Sequence, residues 1–236
     1  DRLIPKINTA SGYDPQNPYI GRDPRFEASI YYNGASRNLP DDGTKVETFV
    51  GGVAGIDAAN FTHTCTGYYV RKFNRWNSSR DNSADGYIRM FRYAELLLNY
   101  AEAAANALGN PDTKHEGMSA KDAVDAVRNR AGMPPFPAGM SLNDFMKKYR
   151  NERRIELAFE GHRYFDVRRW KILEETDSFV TGMSITKNEN DELVFNRFKF
   201  PDRKTVSEKY YRFPLSQSEV NKVLQVTGEN WQNPGW

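Results

Sequence analysis

The residues best equipped for chemistry lie between positions 145 and 170, in the run FMKKYRNERRIELAFEGHRYFDVRRW. Glu152, Glu156 and Glu160 recur at i, i+4 and i+8, so they fall on one face of a helix. From 147 to 171, nine basic residues (Lys147, Lys148, Arg150, Arg153, Arg154, Arg163, Arg168, Arg169, Lys171) stand against four acids, Glu152, Glu156, Glu160 and Asp166. Paired carboxylates can cleave a glycosidic bond, one as acid and one as nucleophile or base, so a glycoside hydrolase acting through Glu152, Glu156 or Glu160 is one reading. Residues one turn apart on a helix, however, lie roughly 6 Å apart and face the same way, whereas a glycosidase pair must flank the sugar. The other reading is an Arg–Glu network that ties helices together. Like charges at this spacing repel, and Arg153, Arg154, Arg163 and Arg168 lie close enough in sequence to neutralise them. The spacing favours the network.

Other catalytic chemistry is thinly provided. With 1 Cys no internal disulfide can form, and the scarcity of His, 3 in all, weakens a His-based triad or metal site. Cys65, between two threonines, reads as a small, partly buried filler and not as a nucleophile. His162 reads as a partner for a backbone carbonyl, and no Glu-x-x-His supports a metal; no metal and no cofactor is expected. The glycines of 51–55 lack the phosphate-loop pattern. A net charge of +2, with the basic residues interleaved among acids and rings, argues against nucleic acid as a partner.

The stronger ligand candidate is the polar loop at 74–82. Trp76 offers a flat apolar face, and Asn74, Arg75, Asn77 and Asp81 offer hydrogen bonds to vicinal hydroxyls, the mix that sugar recognition uses. An equal claim is that Trp76 plugs the joint between a strand and a helix. Tyr19 and Tyr13, on Pro-rich loops, are candidates of the same kind. Asn60 and Asn77 begin N-glycosylation sequons, relevant only in a eukaryotic secretory pathway.

The elements that must position these residues follow from pattern. Residues 1–60 are rich in Gly, Pro, Asn and Asp and read as loops with short strands near 26–32 and 46–50; residues 67–73 read as a third strand. From about Tyr87 the period changes to that of a helix. Tyr87, Met90, Phe91, Ala94, Leu97, Leu98, Ala101, Ala105 and Leu108 form one apolar stripe, and Tyr93, Leu96, Tyr100, Ala103 and Ala107 a second. A helix with two stripes packs on two sides, as in a helical-repeat stack. Ser119 and Ser141 are N-caps for two further helices, the second running to a stop at Gly161. A short helix from 164 to 173, a hairpin or loops over 176–206, an extended run at 210–214 and a helix over 217–224 complete the chain. With 39% hydrophobic and 27% charged residues the chain is globular, not disordered, and no run of 18 apolar residues spans a membrane. It opens on Asp-Arg-Leu-Ile-Pro, without Met or signal features, and reads as processed or as a piece of something longer.

Six segments, in order, resemble the SusD/RagB family of outer-membrane nutrient-binding lipoproteins: DPRF at 23–26, GYYVRKF at 67–73, RYAELLLNYAEA at 92–103, NERRIELAFEGHRYFDVRRW at 151–170, YRFPL at 211–215 and QNPGW at 232–236. The resemblance implies a mainly α fold of tetratricopeptide-like helix pairs, with loop-rich decorations and a few short strands. On it, residues 1–86 form a loop- and strand-rich ligand side, 87–175 the helical core and 176–236 C-terminal loops, strands and helix, all within the C-terminal half of one domain. It implies non-catalytic capture of a glycan, or in some members a peptide, at the cell surface. It further implies delivery to a SusC-type TonB-dependent transporter, and a lipid anchor upstream of these residues. No binding residue carries over by motif, so Trp76, Asn74, Arg75, Asn77 and Tyr19 remain readings of the residues themselves. A helical-repeat scaffold for protein partners is the third function class.

Overall fold

The computed structural model describes residues 11–38, 41–74, 90–176, 180–200 and 207–236. The fold is mainly helical, with short strand pairs. The chain divides into two compact units, one of residues 1–160 and 182–198, the other of 161–181 and 199–236.

The first unit is built on three helices: α2 (Tyr93–Leu108), α3 (Ala120–Arg130) and α4 (Leu142–Glu156). Ser119 caps α3 through a complete capping box. Its hydroxyl accepts from the Asp122 amide at 3.0 Å, and the Asp122 carboxylate accepts from the Ser119 amide at 3.0 Å. Ser141 caps α4 in the same sense, accepting from the Asp144 amide at 3.1 Å. The core between these helices is formed by Leu97, Leu98, Ala101, Val124, Val127, Phe145 and Tyr149. Phe136, Phe145 and Tyr149 run through it as a chain of rings 5.9 and 6.2 Å apart. The buried Tyr149 hydroxyl donates to the Leu98 carbonyl at 2.8 Å and lies 3.0 Å from the Glu102 carboxylate.

The N-terminal part differs from the strand pattern expected of it. Residues 24–29 form a helix, α1 (Pro24–Ser29), and only Ile30–Tyr31 (β1) remains extended. The local chemistry explains this: Asp23 caps the helix by accepting from the Arg25 amide, and Pro24 sits at its first turn, where its missing N–H costs nothing. β1 pairs antiparallel with β2 (Tyr69–Val70), a strand of two residues where seven were expected. The expected strand at 46–50 is not formed; a single bridge, Ser36 with Lys45, lies just before it. Between α2 and α3, β3 (Lys114–His115) and β4 (Met118–Ser119) make a tight hairpin. β5 (Thr181–Lys187) and β6 (Leu193–Lys199) form the longest strand pair, turning at Asn188–Asp191, where Asn188 Oδ1 accepts from the Asn190 and Glu192 amides. Gly67 lies against β5: its φ is +81° and a Cβ there would sit 2.2 Å from the Met183 carbonyl oxygen. Cys65 is exposed, which corrects its reading as a partly buried filler.

The second unit holds α5 (His162–Arg169), α6 (Leu173–Thr176), a 3-10 turn (Glu208–Tyr211) and α7 (Gln217–Thr227). Helix α4 stops at Glu156, earlier than expected, and the left-handed Gly161 (φ +83°) starts α5 instead of ending α4. Val167, Ile172 and Leu173 form the small core of this unit, with Trp170 and Tyr211 packed on it. The last residues are tied down. Gln232 exchanges two hydrogen bonds with the Leu215 backbone, and the Trp236 indole donates to the carbonyls of Lys209 and Arg212 at 3.0 and 3.2 Å.

Candidate functional site

The carboxylate column lies inside the first unit. Glu152 and Glu156 project from the last two turns of α4, with side chains 2% exposed; Glu160 follows in the turn beyond the helix. Their cations come from four separate stretches. Arg25 Nη1 reaches Glu152 at 2.5 Å and Glu156 at 3.0 Å, while its other edge grips Asp23 at 2.7 Å. Arg92, the N-cap residue of α2, bridges Glu156 and Glu160, both at 2.6 Å, and donates to the Glu156 carbonyl at 2.8 Å. Arg128 and Arg130, from the last turn of α3, bind Glu152 at 2.6 Å and Glu156 at 2.7 Å. Lys72, just after β2, reaches Glu160 at 2.6 Å and the Glu156 carbonyl at 2.9 Å.

Both oxygens of Glu156 and both of Glu160 are therefore held by cations. Burial alone would push both carboxyls up, but the hydrogen bonds from Arg92 to both, from Arg25 to Glu156 and from Lys72 to Glu160 outweigh it and hold them below the usual range. A glycosidase acid needs the opposite, a carboxyl held protonated near neutrality. The column is an ion network that fastens α1, α2, α3 and the segment after β2 onto α4.

The partners differ from those adjacent in sequence. Arg25, Lys72, Arg92, Arg128 and Arg130 hold the column, each far from it along the chain. Arg153 instead turns its Nη1 to Asn99 Oδ1 at 2.8 Å. Within the second unit, Arg168 lies over the Tyr164 ring, 3.5 Å from its centre. Nothing in local spacing announces such long-range pairs, although Asp23 and Arg25 belong to a run already singled out as a motif.

Of the candidate ligand residues, Trp76, Arg75 and Asn77 lie outside the described residues. Asn74 is exposed; its amide side chain donates to the Val70 carbonyl at 3.1 Å and its backbone N–H to Arg71 at 2.9 Å. Tyr19 packs in a ring cluster with Tyr32 (4.4 Å), Phe195 (5.8 Å), Phe26 (6.1 Å) and Tyr68 (6.3 Å). Its hydroxyl is buried, and burial and then the neighbouring Tyr68 push its pKa up. Arg22 lies over the outer edge of this cluster, 5.0 Å from the Phe26 ring and 5.9 Å from that of Tyr13. The cluster brings together rings from widely separated positions, so sequence reasoning had only Tyr13 and Tyr19 to go on. Among the described residues, no three His, Cys, Asp or Glu side chains are placed to hold a metal ion.

Comparison with known proteins gives the arrangement a context. The SusD-like protein P38 of Formosa agariphila is 30% identical over 126 residues, covering 49% of this chain and 23% of that protein. The crystal structure of a SusD homolog from Bacteroides thetaiotaomicron is 27% identical, with a TM-score of 0.45, over 65% of this chain and 31% of that one. The matched stretches thus cover less than a third of the length of either relative. The sequence pattern of the SusD family matches residues 6–236, so the chain belongs to the SusD family.

Proposed function

We propose that this chain is part of a non-catalytic surface protein that captures glycans and delivers them to a SusC-type TonB-dependent transporter in the outer membrane. The observation that carries this reading is the family match over 6–236. The ion network supports it, because the carboxylates that could have served hydrolysis are buried and neutralised by cations. In this reading the protein sits on the outer-membrane surface through a lipid anchor outside these residues; among the described residues, no helix is long and apolar enough to cross a membrane.

The ligand side is residues 1–86. Trp76 stacks on a sugar face, Asn74, Arg75 and Asn77 bind hydroxyls, and Tyr19 supports the same side from its ring cluster. A Trp76→Ala change in the full-length protein is expected to weaken the best-bound oligosaccharide by about 1–3 kcal/mol, the scale of a ring-stacking contact, with an unchanged melting temperature. A lowered melting temperature with unaltered affinity would move Trp76 to a purely structural role. Co-purification of the transporter from detergent extracts tests the delivery step; its absence under conditions that keep the glycan bound would contradict it.

A further inference from the structure

The ring cluster around Tyr19 has an open edge, and that edge is positive. Arg22 is exposed there and Tyr13 half-buried. The Arg22 guanidinium lies over the rings of Phe26 and Tyr13, at 5.0 and 5.9 Å, and among the described residues no carboxylate pairs with it. Every cation of the carboxylate column, by contrast, reaches an acid within 3.0 Å. The acids nearest Arg22 in sequence are engaged elsewhere. Asp14 accepts from the Asn17 side chain at 2.6 Å and the Gln16 amide at 2.8 Å, and Asp23 holds Arg25 at 2.7 Å. A second cation arrives on β6. Burial pushes the Tyr68 phenol up, while the charges of Arg22 and Arg197 oppose that rise, so both act at the same phenol. The Tyr13 phenol acts on Tyr68 and on Tyr19 as well. Two cations and three phenols, from residues 13–22, 68 and 197, thus converge on one edge.

The edge is held in place without a ligand. Gln16 exchanges two hydrogen bonds with the Phe195 backbone, its side-chain amide donating to the carbonyl and its oxygen accepting from the N–H, both at 3.1 Å. This fastens the loop that carries Tyr13 and Arg22 onto β6, the strand that carries Arg197. A guanidinium laid on ring faces keeps its in-plane N–H fork open to donate. That fork matches the two oxygens of a carboxylate or of a sulfate ester. A ring beside it offers an apolar face to the C–H side of a sugar, and its hydroxyl a further donor. A neutral sugar would leave the cation uncompensated, so the arrangement discriminates by charge. Resting on the glycan capture proposed above, we propose that this edge selects acidic glycans: a sugar carboxylate or sulfate ester docks on Arg22, with the sugar ring against Tyr13.

The test is calorimetric titration of the full-length protein with matched pairs alongside a neutral panel. Oligogalacturonides against their methyl esters probe the carboxylate, and sulfated galactan oligosaccharides against their desulfated forms probe the sulfate. At least one acidic member should bind about 10- to 100-fold more tightly than its neutral counterpart, the scale of hydrogen bonds to a charged group. The preference should vanish in Arg22→Gln and persist in part in Arg22→Lys, which keeps the charge and loses the fork. Neutral glycans bound without an acidic preference overturn this inference and leave capture standing; no binding of any glycan overturns both. A preference that survives Arg22→Gln places the anion elsewhere and overturns the assignment. Phenylglyoxal modification of the unaltered protein, read by peptide mass spectrometry, guards against a misfolded variant. The acidic glycan should slow modification of Arg22 and not that of Arg37, which is also exposed; equal slowing at both overturns the proposal.

Discussion

Glu156→Ala should unfold the protein before it changes what the protein binds. Glu156 is 2% exposed, and its two oxygens receive Arg92 at 2.6 Å, Arg130 at 2.7 Å and Arg25 at 3.0 Å. Removing the carboxylate leaves Arg25 and Arg92, with side chains 10% and 20% exposed, each short of one anion in a largely dry site. Breaking a buried pair from one side costs about 3–5 kcal/mol. The lower end applies here, because Arg25 keeps Asp23 and Glu152, and Arg92 keeps Glu160. For a cooperative unit of about 150–250 residues, a loss of about 3 kcal/mol lowers the melting temperature by about 6–12 °C. Arg130→Ala is the matched control: its side chain is 59% exposed, so the same contact approached from outside should cost less than about 1 kcal/mol. The assay is thermal and urea unfolding of the full-length protein and both variants, followed by glycan titration of whatever remains folded. A Glu156→Ala protein of normal stability that no longer binds glycan would refute the assignment and return the column to the ligand site.

Acid should loosen the same network. Glu156, Glu160 and Asp23 all have pKa values lowered in the folded protein, so each binds protons more readily when unfolded. Their stabilisation is present above the ordinary carboxylate range and is lost as pH falls through the depressed folded values. Urea midpoints measured from pH 7 downward should fall below about pH 4.5, and a flat profile across that range would contradict the network. Tyr149→Phe should cost about 1–3 kcal/mol, since it removes the buried hydroxyl's hydrogen bond to the Leu98 carbonyl and its contact with the Glu102 carboxylate; urea unfolding gives the number, and a neutral substitution would show that water replaces the hydroxyl. Gly67→Ala should cost at least about 2 kcal/mol, because the left-handed backbone and the Met183 carbonyl both oppose a Cβ; a wild-type melting curve would show that the close approach at β5 is relaxed.

The helices were legible because their signals are local. Ser119 with Asp122, Ser141 with Asp144, and the apolar spacing of residues 93–108 each act within a turn or two. The short strands were misjudged where alternation competed with a cap. At 23–29 the Asp-Pro start of a helix prevailed over the period-two pattern of Phe26, Ala28 and Ile30. The ionic nature of the carboxylate column was legible from its spacing, but its partners were not. Arg25 lies 127 residues from Glu152, and Arg92 lies 64 from Glu156; only folding brings them within hydrogen-bond distance. The ring cluster around Tyr19 was hidden for the same reason, with Phe195 arriving on β6. The second apolar stripe of α2 was readable as a stripe, and the structure adds that this side is exposed.

The proposed role of the protein is capture without chemistry. Its most direct test is to incubate the full-length protein with a panel of oligosaccharides, reading heat of binding by titration calorimetry and products by mass spectrometry in the same samples. Saturable binding of at least one glycan is expected, with every sugar chain recovered intact. Release of shortened sugars, abolished by Glu152→Gln or Glu156→Gln in a protein that still folds, would contradict it.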